Sequence, residues 1–153
     1  MTAMPDFVLD DQLCFALHSA SRAMTGCYRP LLEEIGLTYS QYAVMLVLWE
    51  HESVPMGFLC GRLQLDTGTL SPLLKRLESE KLLVRRRRSD DERVVQLTLT
   101  TAGRALRDRA AQAQARVQDA TGLDADELAT MRDDLTALAA RLRAARLVPD
   151  VAS

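Results

Sequence analysis

The run from Leu65 to Thr100, LDTGTLSPLLKRLESEKLLVRRRRSDDERVVQLTLT, decides how this chain of 153 residues is read. Its first half carries leucines at helical spacing, which puts Leu70, Leu73 and Leu77 on one face and Leu74 on its edge. The opposite face presents Thr67, Thr69, Ser71, Lys75 and Arg76, a small polar and basic surface. The second half changes period: Val95, Leu97 and Leu99 alternate with Gln96, Thr98 and Thr100, as in a strand with one buried side. Between the two lie Arg85 to Arg88, the turn-forming acidic run Asp90, Asp91 and Glu92, and then Arg93.

A helix followed by a two-stranded ribbon with a basic tip is the layout of a winged helix-turn-helix. Such a helix fits a major groove, and an arginine tip reaches a minor groove. A run of arginines is also a common solvated face, so pattern alone leaves DNA binding and plain solvation both open. The formal net charge of −2 argues against a nucleic-acid partner if taken as a sum. The basic residues cluster at Lys75, Arg76, Lys81 and the arginine run, however, and local distribution decides whether phosphates are attracted.

Outward from this stretch the chain reads as helical. It is poor in aromatics, rich in Ala, Leu and Arg, and of a length that suits one compact chain with a real core. A helix is expected from about Asp6 or Asp10, with Leu13, Leu17, Met24, Tyr28, Leu31 and Ile35 at spacings of three and four. Pro30 should kink or interrupt it, and Gly36 suits its C-cap. Thr38 and Gln41 have capping-box spacing before a nearly all-apolar helix that should be central. Residues 51–54 read as a loop, and Pro55 opens a short helix to Leu63. The groove-filling helix has two possible starts: Asp66 caps a helix that bends at Pro72, or Thr69 caps one that begins later. After the wing, Thr100 or Thr101 caps a long helix to about Ala120, ended by Gly122. Asp124 and Glu127 cap a last helix carrying Leu128, Met131, Leu135, Leu138 and Leu142. The expected organisation is mainly α with a small β-wing: a winged-helix lobe over residues 38–100, with dimerisation helices at 8–36 and 101–146. An intramolecular hairpin of the last two helices is the alternative to a dimer. A two-fold dimer would match a palindromic site.

No signal peptide and no membrane-length apolar run is legible, so a cytoplasmic location is expected. The three cysteines, Cys14, Cys27 and Cys60, form no Cys-x-x-Cys pair, and only two histidines are present, which argues against a disulfide scaffold or a structural metal. No cofactor is expected. The absence of a thioredoxin-like βαβ pattern, of a resolving pair and of a Thr-x-x-Cys element argues against a thiol peroxidase, and no catalytic residues are assigned.

The order of helices, LDTGTLSPLLKRLE, the DDER wing tip and LTLTTAG resemble the MarR family of winged-helix repressors. More narrowly, LDDQLCFALHSASRAMTGCYRPLLEEIGLTYSQYAVMLVLWEH is similar to the organic-hydroperoxide-sensing branch of that family. The similarity runs from about Leu9 to Gly103; the C-terminal helices match only in type. The resemblance implies a homodimer on double-stranded palindromic operator DNA that is released when a hydroperoxide oxidises one cysteine. It assigns that cysteine to Cys14 of the LCF element. It assigns two tyrosines that hydrogen-bond the sulfur across the dimer to Tyr28 and Tyr39. In the wing, Asp91 corresponds to an aspartate that braces an arginine, here Arg93.

The chemistry needs a thiolate, which an early-turn helix position and phenol donors stabilise. Leu13, Phe15 and Trp49 are expected to favour an organic hydroperoxide over hydrogen peroxide. Cys27 lies about 20 Å further along the same helix at the standard rise, too far for a bridge within one subunit. A mixed disulfide with a low-molecular-weight thiol, or overoxidation, is therefore the expected fate of Cys14. DNA contact is expected from Thr67, Thr69, Ser71, Lys75 and Arg76 on the helix and from Arg86, Arg88 and Arg93 on the wing. A reversible small-molecule ligand in place of oxidation is the competing reading.

Overall fold

The computed structural model describes residues 7–149. The start at Asp6 considered above lies outside them. The described residues form two compact units that divide between Val117 and Gln118. Its elements run α1 (Leu13–Glu33), α2 (Tyr39–His51), β1 (Ser53–Pro55), α3 (Met56–Leu63), α4 (Thr67–Ser79), β2 (Leu83–Arg87), β3 (Val95–Leu99), α5 (Thr101–Ala105), α6 (Arg107–Ala120) and α7 (Ala125–Ala144). Among the described residues no helix is long and apolar enough to cross a membrane.

Local chemistry accounts for most boundaries. A short 3-10 turn at Leu9–Asp11 precedes α1. Pro30 lies inside α1, which continues through it to Glu33, so of the expected kink or interruption the interruption does not occur. Gly26, four residues back, offers the carbonyl that Pro30 cannot bond, and its bare Cα leaves open space around it. Gly36 at φ +78° ends the helix as expected, with the Leu37 N–H reaching back to the Leu32 carbonyl at 3.0 Å. Thr38 and Gln41 form a complete capping box: Gln41 N–H donates to Thr38 Oγ1 at 3.2 Å and Thr38 N–H to Gln41 Oε1 at 2.9 Å. Of the two starts considered for α4, the Asp66 one is formed: Asp66 Oδ1 accepts from Thr69 N–H at 2.7 Å, and Pro72 sits within the helix. Gly68 is again four residues before that proline.

Four further sequence expectations are corrected. Leu74 is fully buried with Leu70 and Leu77, whereas Leu73 is only partly covered, because α4 turns its Leu70–Leu74–Leu77 stripe inward. Of the residues 51–54 read as loop, His51 ends α2 and Ser53 and Val54 form a strand with Pro55, so α3 begins at Met56 rather than at the proline. β1 pairs antiparallel with β3, so the sheet has three strands in the order β1-β3-β2. Arg85, Arg86 and Arg87 belong to β2 and face Leu97, Gln96 and Val95, so only Arg88 stands in the tip proper. The helix after the wing is broken at Leu106 into α5 and α6.

The core gathers Leu32, Leu37, Val44, Met45, Leu48, Leu59, Leu70, Leu74, Leu77, Leu83, Leu97 and Leu99 around the inner face of α2, whose Tyr39, Leu46 and Glu50 remain exposed. From α6 it takes Ala110 and Val117. In the second unit, Gly122 at φ +71° ends α6 and a capping box between Asp124 and Glu127 opens α7.

Candidate functional site

Two surfaces collect the residues singled out by the sequence. The first is the exposed side of α4 with the wing. Asp66 fixes the amino end of α4, and Thr67, Thr69, Lys75 and Arg76 stand exposed along it; Ser71 is half covered. Cys60 on α3 places its sulfur 3.7 Å from Thr67 Oγ1, at the turn between the two helices.

The wing turn is held by backbone bonds from Arg88 N–H to the Val94 carbonyl and from Val94 N–H to the Asp91 carbonyl. Asp91 accepts from both the backbone N–H and the Nε of Arg93, at 3.1 and 3.0 Å, yet the Arg93 side chain remains 91% exposed. That guanidinium holds the Asp91 carboxyl below the usual carboxylate range. Arg88 pairs with Asp90, and Arg87 donates to the Glu92 carbonyl at 2.9 Å. Arg85 does not join this surface. Its backbone N–H and its guanidinium bond the two oxygens of Glu78 at 3.0 to 3.3 Å, which ties β2 to the end of α4. Arg86 makes no ion pair among the described residues. The arrangement offers a polar helix face and several projecting cations to a polyanion.

The second surface lies at the corner between α1 and α2. Tyr28 is buried near the end of α1, and Tyr39 is the first residue of α2, 44% exposed. Their ring centroids are 5.6 Å apart, and Tyr42 lies 5.3 Å from Tyr28 and 6.0 Å from Tyr39. Burial pushes the Tyr28 phenol above its ordinary range. Burial, with Tyr28 close by, pushes Tyr42 higher still, so both rings are neutral donors at physiological pH.

Cys14 is not at this corner in the same chain. It is the second residue of α1 and exposed, about 21 Å from Tyr28 along the helix at the standard rise. Around it Leu13 and Phe15 are 61% and 39% exposed. Trp49, expected beside the cysteine, instead sits near the far end of α2 and donates its indole N–H to the Gly103 carbonyl at 2.9 Å.

Sequence reasoning missed Tyr42, Glu78, Arg87 and Gly103. Tyr42 follows Tyr39 at helical spacing and was legible as a same-face neighbour. Gly103 and the Glu78–Arg85 bond need tertiary structure to be seen.

Three comparisons bear on this geometry. The family model described as transcriptional regulator SarA/Rot matches residues 27–109. The chain is 46% identical over 102 residues to the organic hydroperoxide resistance transcriptional regulator of Bacillus subtilis (strain 168), covering 67% of this chain and 69% of that protein. It is also 46% identical over 138 residues to the HTH-type transcriptional regulator TtmR of Methylorubrum extorquens (strain PA1), covering 86% and 71%. Among solved structures it resembles AbfR of Staphylococcus epidermidis at 33% identity and a TM-score of 0.75, covering 88% of this chain and 92% of that one. AbfR has been solved reduced and bound to DNA, overoxidised and bound to DNA, and with a disulfide formed.

Proposed function

Because this chain belongs to the MarR family of winged-helix, DNA-binding transcriptional regulators, to which the SarA/Rot model also points, we propose that it is a repressor that senses organic hydroperoxides through Cys14 and leaves its operator once that cysteine is oxidised. One observation carries this reading. Tyr28 and Tyr39 converge at 5.6 Å as a pair of phenols, while Cys14 lies exposed at the opposite end of α1 among uncovered Leu13 and Phe15. A second copy would bring its Cys14 to this tyrosine pair and cover those apolar side chains at once. The similarity to the hydroperoxide resistance regulator of Bacillus subtilis and to AbfR, known in several oxidation states, supports the same assignment.

The chemistry is a two-electron oxidation of sulfur. The Cys14 thiolate attacks the terminal oxygen of a hydroperoxide, the O–O bond breaks, and the alkoxide leaves and takes a proton to become the alcohol. The product is Cys14 sulfenic acid. A low-molecular-weight thiol then displaces hydroxide, so that a mixed disulfide and one water form. Added bulk between α1 of one subunit and the tyrosine corner of the other alters the spacing of the two α4 helices, and a palindromic site is no longer spanned. Thr67, Thr69, Ser71, Lys75 and Arg76 are assigned to the major groove, and Arg86, Arg88 and Arg93, the last braced by Asp91, to the wing contact.

The test is a mobility-shift series with reduced, cumene-hydroperoxide-treated and re-reduced protein beside Cys14→Ser. The wild type should lose its operator reversibly, and Cys14→Ser should bind but not let go. A Cys14→Ser protein that still lets go on peroxide contradicts the reading. It would favour release by a reversible ligand, for which pockets of about 310 Å³ lie beside Tyr42, Leu46, Trp49 and Arg107 and beside Thr25, Arg29 and Tyr39.

A further inference from the structure

The tyrosine cluster continues beyond the pair assigned to sensing. Tyr42 leads along α2 to Trp49, whose ring lies 6.3 Å from it. The indole N–H of Trp49 ends on the Gly103 carbonyl at 2.9 Å. Gly103 is where α5 presses on the root of the wing: a Cβ at this position would stand 2.2 Å from the Leu82 carbonyl oxygen, and Leu82 immediately precedes β2.

The same few atoms are bonded from several directions. The Leu82 carbonyl accepts from Thr100 N–H at 3.1 Å. The Thr100 hydroxyl donates to the Lys81 carbonyl at 2.6 Å and accepts from Gly103 N–H at 3.0 Å. Glu52, the C-cap of α2, accepts from Leu99 N–H through its carbonyl at 2.9 Å and from Arg104 Nε through its carboxylate at 3.1 Å. One helix therefore begins with Tyr39 in the tyrosine cluster and ends fastened to the root of the wing.

The middle of α2 is stiff, with Val44, Met45 and Leu48 fully buried, so a displacement at its first turn is passed on rather than absorbed. Room for the rings to shift exists on one side, where Tyr42 and Trp49 line the pocket of about 310 Å³. A packed helix with freedom on one side and a fixed far end is suited to a choice between two positions.

We propose that Trp49 is the positioning residue that joins the tyrosine corner to the wing, through its indole hydrogen bond to Gly103. Its input rests on the redox reading above. Its output, from wing root to indole, does not.

Trp49 is the only tryptophan of the chain, so its emission reports this junction alone. In the first arm, Cys14→Ser protein is titrated with operator duplex and with a non-operator duplex. The emission should shift with the operator beyond any change with the other DNA; an identical response to both overturns the proposal with no oxidation involved. In the second arm, operator affinity of Trp49→Phe is measured before and after cumene hydroperoxide, with Cys14 oxidation counted by mass. Reduced affinity and the extent of oxidation should match the wild type, while the loss of affinity on oxidation falls from about tenfold or more to under about threefold. A Trp49→Phe protein that releases as fully as a releasing wild type overturns the relay alone. A wild type that keeps its operator with Cys14 fully oxidised overturns the redox reading and the relay's input together.

Discussion

Between Leu32 and Leu99 the chain buries most of its large apolar side chains, including every leucine of the inward stripe of α4, whereas the 20 residues of α7 bury none and α1 ahead of Tyr28 leaves Leu13, Phe15 and Met24 open. Both regions are amphipathic in sequence, and periodicity treats them alike. The difference is that the first stripe meets α2, α3 and the sheet within the chain, whereas the second waits for something else. The DNA-reading lobe is thus a self-sufficient core, and the terminal helices are surfaces whose partner, in the reading proposed here, is a second copy.

The largest expected effect sets these regions against each other. Leu74→Ala should cost about 2–5 kcal/mol in urea unfolding because it empties a closed site. Leu135→Ala, on the exposed side of α7, should change the stability of a single chain by no more than about 0.5 kcal/mol. The charged change Leu135→Glu should instead appear in sedimentation as weakened self-association. Equal unfolding costs for the two alanine variants would erase the distinction.

Gly103→Ala should cost about 1–3 kcal/mol, because its methyl meets the Leu82 backbone rather than a flexible side-chain end. The matching change Gly26→Ala has open space around it and should cost little or stabilise the helix, as thermal melts of the two would show. Within the buried region, Thr38→Ala removes half of a formed capping box at the start of α2 and should cost about 1 kcal/mol.

The smallest effects are in pH. The Asp91 carboxyl is held below its ordinary range by Arg93, so the wing brace is complete at neutral pH and is lost only as pH falls through that lowered value. The Tyr28 and Tyr42 phenols are raised by burial, so the stability they contribute is present below the ordinary tyrosine range, about pH 10, and is lost as pH rises beyond it. Absorbance at alkaline pH should show these two ionising late. Ionisation of Tyr28 and Tyr42 at the ordinary value would contradict the buried corner.

What could be read from the sequence follows the range of the forces involved. The Thr38–Gln41 box, the Gly36 and Gly122 ends and the alternation of Val95 to Leu99 are local, and the structure contains them as read. The choice between Asp66 and Thr69 as cap could not be made locally, because it turns on how well a helix tolerates Pro72. The strand Ser53–Pro55 is too short to show a period and exists because β3 offers it an edge. Leu73 and Leu74 are neighbours on the same helix, and only the packing partner decides which of them points inward. Arg85 looks like its three neighbours in sequence; Glu78, seven residues away, is what ties it back to α4. Of the residues proposed for sensing, motif likeness supplied Cys14, Tyr28 and Tyr39. The distance along α1 then separates the first from the other two within one subunit.

The central claim is that the sensing site is assembled between two copies, and mixed dimers test it directly. Cys14→Ser chains are paired with Tyr28→Phe/Tyr39→Phe chains, and the rate at which cumene hydroperoxide oxidises the remaining Cys14 is measured. In such a dimer the intact cysteine faces the intact tyrosines of its partner, so the account predicts the wild-type rate. A rate as slow as that of the Tyr28→Phe/Tyr39→Phe homodimer, where no intact pair faces any cysteine, would contradict it.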